Sequence, residues 1–126
     1  MFSHTFLGTN DVEKSRSFYK ATLGELGHEG HDLPHGTAFR TEESAFIVAK
    51  PADGQAANAA NGGTHGFKAK TPDEVDAWHA AGLANGGTDE GAPGVRPGSP
   101  GQMYGAYLRD PDGHKICAFA PNRGRD

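Results

Sequence analysis

Apolar and polar residues alternate from Phe2 to Gly8. This predicts a strand with Phe2, His4 and Phe6 on one face and Ser3, Thr5 and Leu7 on the other. The period then lengthens. Val12, Ser15, Tyr19 and Leu23, with Phe18 beside them, recur at helical spacing. Asn10 stands at the expected cap, Asp11 and Glu13 place negative charge in the first turn, and Gly24 ends the segment. From Glu25 to Thr41 glycine and proline break the pattern. One or two short strands are expected there, the better one at 37–40. Residues 44–50, Ser-Ala-Phe-Ile-Val-Ala-Lys, read as a strand by composition.

Residues 51–63 are small and polar and form a linker between two modules, 1–50 and 64–120, with a tail over 121–126. The second module repeats the first. Thr64–Lys70 is an alternating strand with His65, Phe67 and Ala69 on one face. Thr71-Pro72-Asp73-Glu74 starts a helix, with Thr71 as cap, proline in the first turn and glutamate completing a capping box. Val75, Trp78, His79 and Gly82/Leu83 make its apolar stripe, and Gly86-Gly87 stops it. A short strand near 88–90 leads to a Pro/Gly-rich loop over 91–101. Strands over 103–108 and 114–120 flank the turn Asp110-Pro111-Asp112-Gly113. Each half therefore reads β-α-β-β-β.

The duplication has a chemical marker. Ser3-His4-Thr5-Phe6 and Thr64-His65-Gly66-Phe67 are the same tetrapeptide pattern, their histidines 61 residues apart. If the halves superpose in that register, His4 and His65 face a shared cleft.

Composition narrows the setting. A chain of 126 residues fits one α+β domain with enough chain to bury a core. The net charge of −4 and the lack of a basic stripe argue against a nucleic-acid partner. The single cysteine, Cys117, excludes an internal disulfide. No apolar run reaches membrane-span length, and no leader-like pattern opens the chain, so no membrane partner and a cytoplasmic location are expected.

Paired βαβββ modules, the run Gly8-Thr9-Asn10-Asp11-Val12-Glu13-Lys14-Ser15-Arg16-Ser17-Phe18-Tyr19 with Leu23-Gly24, and the hairpin Leu108-Arg109-Asp110-Pro111-Asp112-Gly113-His114-Lys115-Ile116 resemble the vicinal oxygen chelate superfamily. That superfamily contains glyoxalase I, extradiol dioxygenases and bleomycin-resistance proteins. The resemblance covers nearly the whole chain. It implies two pseudo-symmetric modules forming a half-open barrel cleft, with a metal held by the first and last strands of each module. Carried over, the ligand positions are His4 and His65, then Val48 and Cys117. Metal-using members carry glutamate at the Cys117 position and often at the Val48 position. Valine cannot ligate, so the implied set is His4, His65 and Cys117. Two histidines and a thiolate favour zinc, with nickel, manganese or iron as alternatives, or no metal at all. The missing carboxylate weakens a dioxygenase reading and leaves a proton-transfer enzyme without a base.

Two functions from different classes follow from the resemblance. The first is a glyoxalase-like lyase or isomerase, its metal acting as a Lewis acid on vicinal substrate oxygens. The second is a metal-free binding protein of the bleomycin-resistance type, holding a small aromatic or cationic molecule, with a homodimer implied by family habit. A degenerate member with a structural or regulatory role is a third. Phe6, Phe67, Tyr107, Met103 and Phe119 are expected pocket walls, and Arg96 a clamp for an anionic substrate group. The plainer readings are core hydrogen bonds for the histidines and a small buried hydrophobe for Cys117. His28, His31 and His35 lie in a Gly/Pro-broken segment and read as a solvated loop.

Overall fold

A computed structural model describes residues 1–125. The first module runs β1 (His4–Gly8), α1 (Val12–Glu25), β2 (Gly30–Leu33), β3 (Gly36–Arg40) and β4 (Ala45–Ala49). The second runs β5 (Thr64–Lys68), α2 (Pro72–Ala84), β6 (Thr88–Val95), β7 (Tyr104–Arg109) and β8 (Lys115–Ala120). Each forms its own four-stranded sheet, in the orders β1-β4-β3-β2 and β5-β8-β7-β6. In each sheet the first strand lies parallel to the last, and the other pairs are antiparallel. This is the α+β architecture of two βαβββ modules that the hydrophobic pattern predicts.

The helices cover one face of each sheet and pack against each other. Phe18, Tyr19 and Leu23 of α1 and Val75 and Trp78 of α2 are at most 1 % exposed. They join Phe39, Phe46, Val48, Ala106, Leu108, Ile116, Ala118 and Ala120 in one apolar cluster that spans both modules. An aromatic chain crosses the boundary, with ring centroids of Tyr19 and Phe46 4.9 Å apart and of Phe46 and Phe67 5.0 Å apart.

A polar clasp crosses it as well. The buried Tyr19 hydroxyl donates to Asp110 Oδ2 at 2.5 Å, and Asp110 Oδ1 accepts the backbone N–H groups of Asp112 and His114. His114 Nε2 lies 2.8 Å from the Gly8 carbonyl, and the Asn10 N–H donates to Asp112 Oδ1. The Asp110-Pro111-Asp112-Gly113 turn thus ties the second sheet to the first helix and first strand. Burial pushes the Asp110 carboxyl above its ordinary value, against the lowering effect of its hydrogen bonds. Burial and the adjacent Asp110 push the Tyr19 phenol well up.

Three details differ from the sequence pattern. The cap of α1 is Asp11, whose side chain accepts from Lys14 N–H, not Asn10. Asn10 instead pairs with the linker, donating to the Ala57 carbonyl and accepting from its N–H. The helix also continues one residue past Gly24, to Glu25. Finally, β6 extends through Gly91 to Val95, where the sequence pattern predicts a loop. It pairs with β7 across two register shifts, and its glycines and Pro93 fit a bulged edge strand.

Candidate functional site

Pairing register decides which side chains share a face. Partners across a ladder point the same way, and a slip of one residue reverses a whole strand. In the first sheet, Thr5 pairs with Phe46 and Leu7 with Val48, and both partners are buried beneath α1. His4, paired with Ala45, and Phe6, paired with Ile47, therefore lie on the opposite, open face. In the second sheet, His65 pairs with Ile116 and Phe67 with Ala118, both fully buried. Here the histidine is on the covered face. Gly66, paired with Cys117, and Lys68, paired with Phe119, are on the open one.

Backbone hydrogen bonds fix the correspondence independently. Thr9 N–H donates to the Ala49 carbonyl, and Ala69 N–H donates to that of Phe119. Thr9 thus matches Ala69, Thr5 matches His65, and His4 matches Thr64. In the last strands Ile47 matches Cys117 and Val48 matches Ala118. The expected equivalences of His4 with His65 and of Val48 with Cys117 are each one residue out.

The open face of the second sheet is built from alternate residues of β7 and β8. Tyr107 and Phe119 meet edge to face at 5.7 Å between centroids. Phe119 lies over Gly105, where any Cβ would stand 2.6 Å from its ring carbons. Cys117 lies between these rings and β5, where a Cβ on Gly66 would be 3.2 Å from its sulfur. Burial raises the Cys117 thiol to about 11, so it is protonated at neutral pH. Lys115 and Arg96 both lie against the Tyr107 ring, 5.1 and 5.7 Å from its centroid. Together these groups make an aromatic wall on a glycine-lined floor, flanked by two cations.

The structure brings some of the predicted residues together and not others. Tyr107, Phe119 and Cys117 share this face, and Arg96 borders it. Phe67 does not: it packs against Phe46 between the modules. Met103 is half-buried just before β7, its carbonyl accepting from Arg96 N–H. Phe6 lies on the open face of the first sheet, 48 % exposed, and lines an open recess of about 620 Å³ with Gly8, Pro51 and Ala57 of the linker. His4 is exposed, with Nδ1 2.8 Å from the Ser3 hydroxyl. His65 is half-buried near His114 and Asp110, and burial lowers its ring below the ordinary imidazole value of 6.5. His31 and His35 are exposed. Gly66, Gly105 and Lys115 escape the sequence pattern, although Lys115 stands two residues before Cys117 and so shares its face.

These positions bear on the metal-ligand set that the resemblance implies. His4 and His65 leave opposite faces of their respective sheets, Val48 is a core residue, and Cys117 lies on the face of its sheet that His65 does not share. Among the described residues, no group of three or more His, Cys, Asp or Glu side chains converges to hold an ion. The residues present do not fit the metal that the fold implies.

Comparison with known proteins agrees with the topology. A family model described as Glyoxalase/Bleomycin resistance protein/Dioxygenase superfamily matches residues 1–118. The crystal structure of a glyoxalase/bleomycin resistance protein from Albidiferax ferrireducens T118 is similar at 48 % identity and TM-score 0.88, over 95 % of this chain and 98 % of that one. A glyoxalase-related enzyme from Fulvimarina pelagi shares the fold at 18 % identity and TM-score 0.75, over 95 % and 87 % of the two chains. So does a lactoylglutathione lyase from Agrobacterium tumefaciens, at 22 % identity and TM-score 0.66, over 97 % and 94 %. No curated protein matches the chain. With its two βαβββ modules and a family match over residues 1–118, the chain belongs to the glyoxalase/bleomycin resistance protein/dioxygenase superfamily.

Proposed function

We propose that this chain is a metal-free small-molecule-binding protein of the bleomycin-resistance type. Its ligand is a small aromatic molecule seated on the open face of the second sheet. The observation that carries this reading is the pairing register. It places an aromatic wall, Tyr107 and Phe119, over Gly105 and beside Cys117, and sends His65 to the other side of the sheet. Half-buried aromatic rings beside a glycine floor suit stacking of a planar ligand, worth about 0.5–1.5 kcal/mol per aromatic pair beyond the area buried. The glyoxalase-like reading needs His4, His65 and Cys117 around one ion, and a His65 ring on the face of its sheet opposite Cys117 counts against that arrangement. Stacking on the open face requires no ion.

A second copy of the chain is the proposed cover for this face. Phe2 and Phe6, 75 % and 48 % exposed, give the first module an apolar surface for that contact.

The test is a thermal-shift screen of chelator-treated protein against small aromatic compounds, with Tyr107→Ala as control. A ligand at roughly a hundred times its Kd adds about 2.7 kcal/mol, a shift of several degrees. The expected result is a set of aromatic hits that persist in chelator and vanish in Tyr107→Ala. Stabilisation only after a divalent ion is restored would overturn the proposal.

A further inference from the structure

The two cations beside Tyr107 differ from the other basic groups near them. Arg109 is paired with Glu90 at 2.8 Å, and Asp89 is held by His79 at 2.9 Å and by the Gly91 N–H. Both acidic residues of β6 are thus engaged. Neither Arg96 nor Lys115 forms an ion pair among the described residues.

Arg96 is also held in place. It follows the bulged end of β6 and folds back along it, donating from Nη1 to the Gly94 carbonyl at 3.1 Å and from Nη2 to the Ala92 carbonyl at 2.7 Å. Glycine is what makes room for it. A Cβ on Gly91 would lie 3.2 Å from Nη2 and a Cβ on Gly94 3.3 Å from Nη1. The spacing Gly91-x-x-Gly94-x-Arg96 thus places two glycines against one guanidinium, beside the register shifts of the edge strand. Two of its five N–H donors are used in fixing it, and the rest have no protein acceptor among the described residues. Lys115 reaches the same ring from β8, diagonal to Tyr107 across the ladder.

We propose that Arg96 and Lys115 form an anion subsite at the rim of the aromatic wall, so that the ligand is an aromatic carboxylate or a similar planar organic anion. Its ring stacks at Tyr107 and Phe119, and its acid group takes the open donors of Arg96 and the Lys115 ammonium. The arrangement is preorganised on the arginine side, where backbone carbonyls already fix the fork. This inference rests on the reading of the open face as the ligand site. It selects against the cationic ligands that the family resemblance allows.

The test is a nuclear magnetic resonance titration with three probes of one shape, benzoate, benzamide and benzylamine, followed at the backbone signals of Tyr107, Cys117 and Phe119. Benzoate is expected to bind roughly tenfold more tightly than benzamide, the size of one charge-assisted hydrogen bond. Added salt should erode that preference, and Arg96→Gln and Lys115→Gln should each lower the ratio of benzoate to benzamide affinity. Lys115→Gln keeps the test sound if Arg96→Gln loosens the bulged strand. Equal binding of benzoate and benzamide, or a preference for benzylamine, overturns the anion subsite and leaves the open face as the ligand site. If no probe moves these signals, the ligand-site reading fails and the subsite with it.

Discussion

His4 and His65 sit in matching tetrapeptides, yet their side chains leave opposite faces of their sheets. His4 pairs with Ala45 on the open face of the first sheet, and His65 pairs with Ile116 on the helix-covered face of the second. One residue of register separates a convergent pair of ligands from two unrelated histidines. The consequences extend to the stability of the module boundary, because His65 lies close to the clasp that joins the two halves.

Tyr19→Phe removes the hydroxyl that donates to Asp110, a carboxylate that is 4 % exposed. A buried acceptor losing its partner costs about 1–3 kcal/mol. The sign of the pH dependence follows from the raised Asp110 carboxyl. A group whose folded value lies above its unfolded value favours the protonated fold, so its cost is greatest at neutral pH and relaxes as pH falls through the folded value. Urea unfolding of the Tyr19→Phe variant should show its largest deficit near pH 7 and a smaller one in acid. An unchanged midpoint would mean that the clasp carries no stability.

His65 contributes with the opposite sense. Its ring is lowered from 6.5, chiefly by burial, so the unfolded chain takes up the proton first. Stability is therefore full above about pH 6.5 and declines as pH drops from there toward the folded value. His65→Asn should flatten the melting temperature between pH 7 and pH 5 relative to the parent protein. An unchanged slope in His65→Asn would contradict the half-buried position of that ring.

Gly82→Ala tests the packing of α2 on the second sheet. In an exposed helix this exchange stabilises by about 1 kcal/mol. At this position the new methyl would collide with Leu108 Cδ1 and crowd Phe18 and Thr22 at 3.4 Å, all of them fully buried. Overpacking of that kind costs about 1–3 kcal/mol, so net destabilisation is expected. Chemical denaturation reads the sign directly, and a gain in stability would show that the helix can lift away freely.

The two modules, their helices and most strands are legible in the sequence because burial imposes clean periods. Alternation marks Tyr104, Ala106 and Leu108 as buried, and helical spacing marks Val75, Trp78 and His79. The register between modules is harder to read, and the cause is local. Asn10 as the first cap aligns with Thr71 and brings His4 into line with His65, but the true cap is Asp11. Counting back equal distances from Asp11 and Thr71 pairs His4 with Thr64 instead. A second signal is present in and just after β5: Lys68 and Lys70 are exposed, which leaves Phe67, Ala69 and thus His65 to the buried side. The reach of β6 to Val95 is hidden for a different reason. Gly91, Pro93 and Gly94 read as a loop in sequence, whereas a bulged edge strand tolerates all three.

The most direct test of this separation is metal binding by protein purified without a histidine tag. The wild type, His4→Ala and His65→Ala are each incubated with Zn(II), desalted and measured by plasma mass spectrometry. The expected result is well under one ion per chain in the wild type, and no change on replacing His65. Near-stoichiometric zinc in the wild type, lost in both single variants, would place the two histidines around one ion and contradict the register on which the proposed function rests.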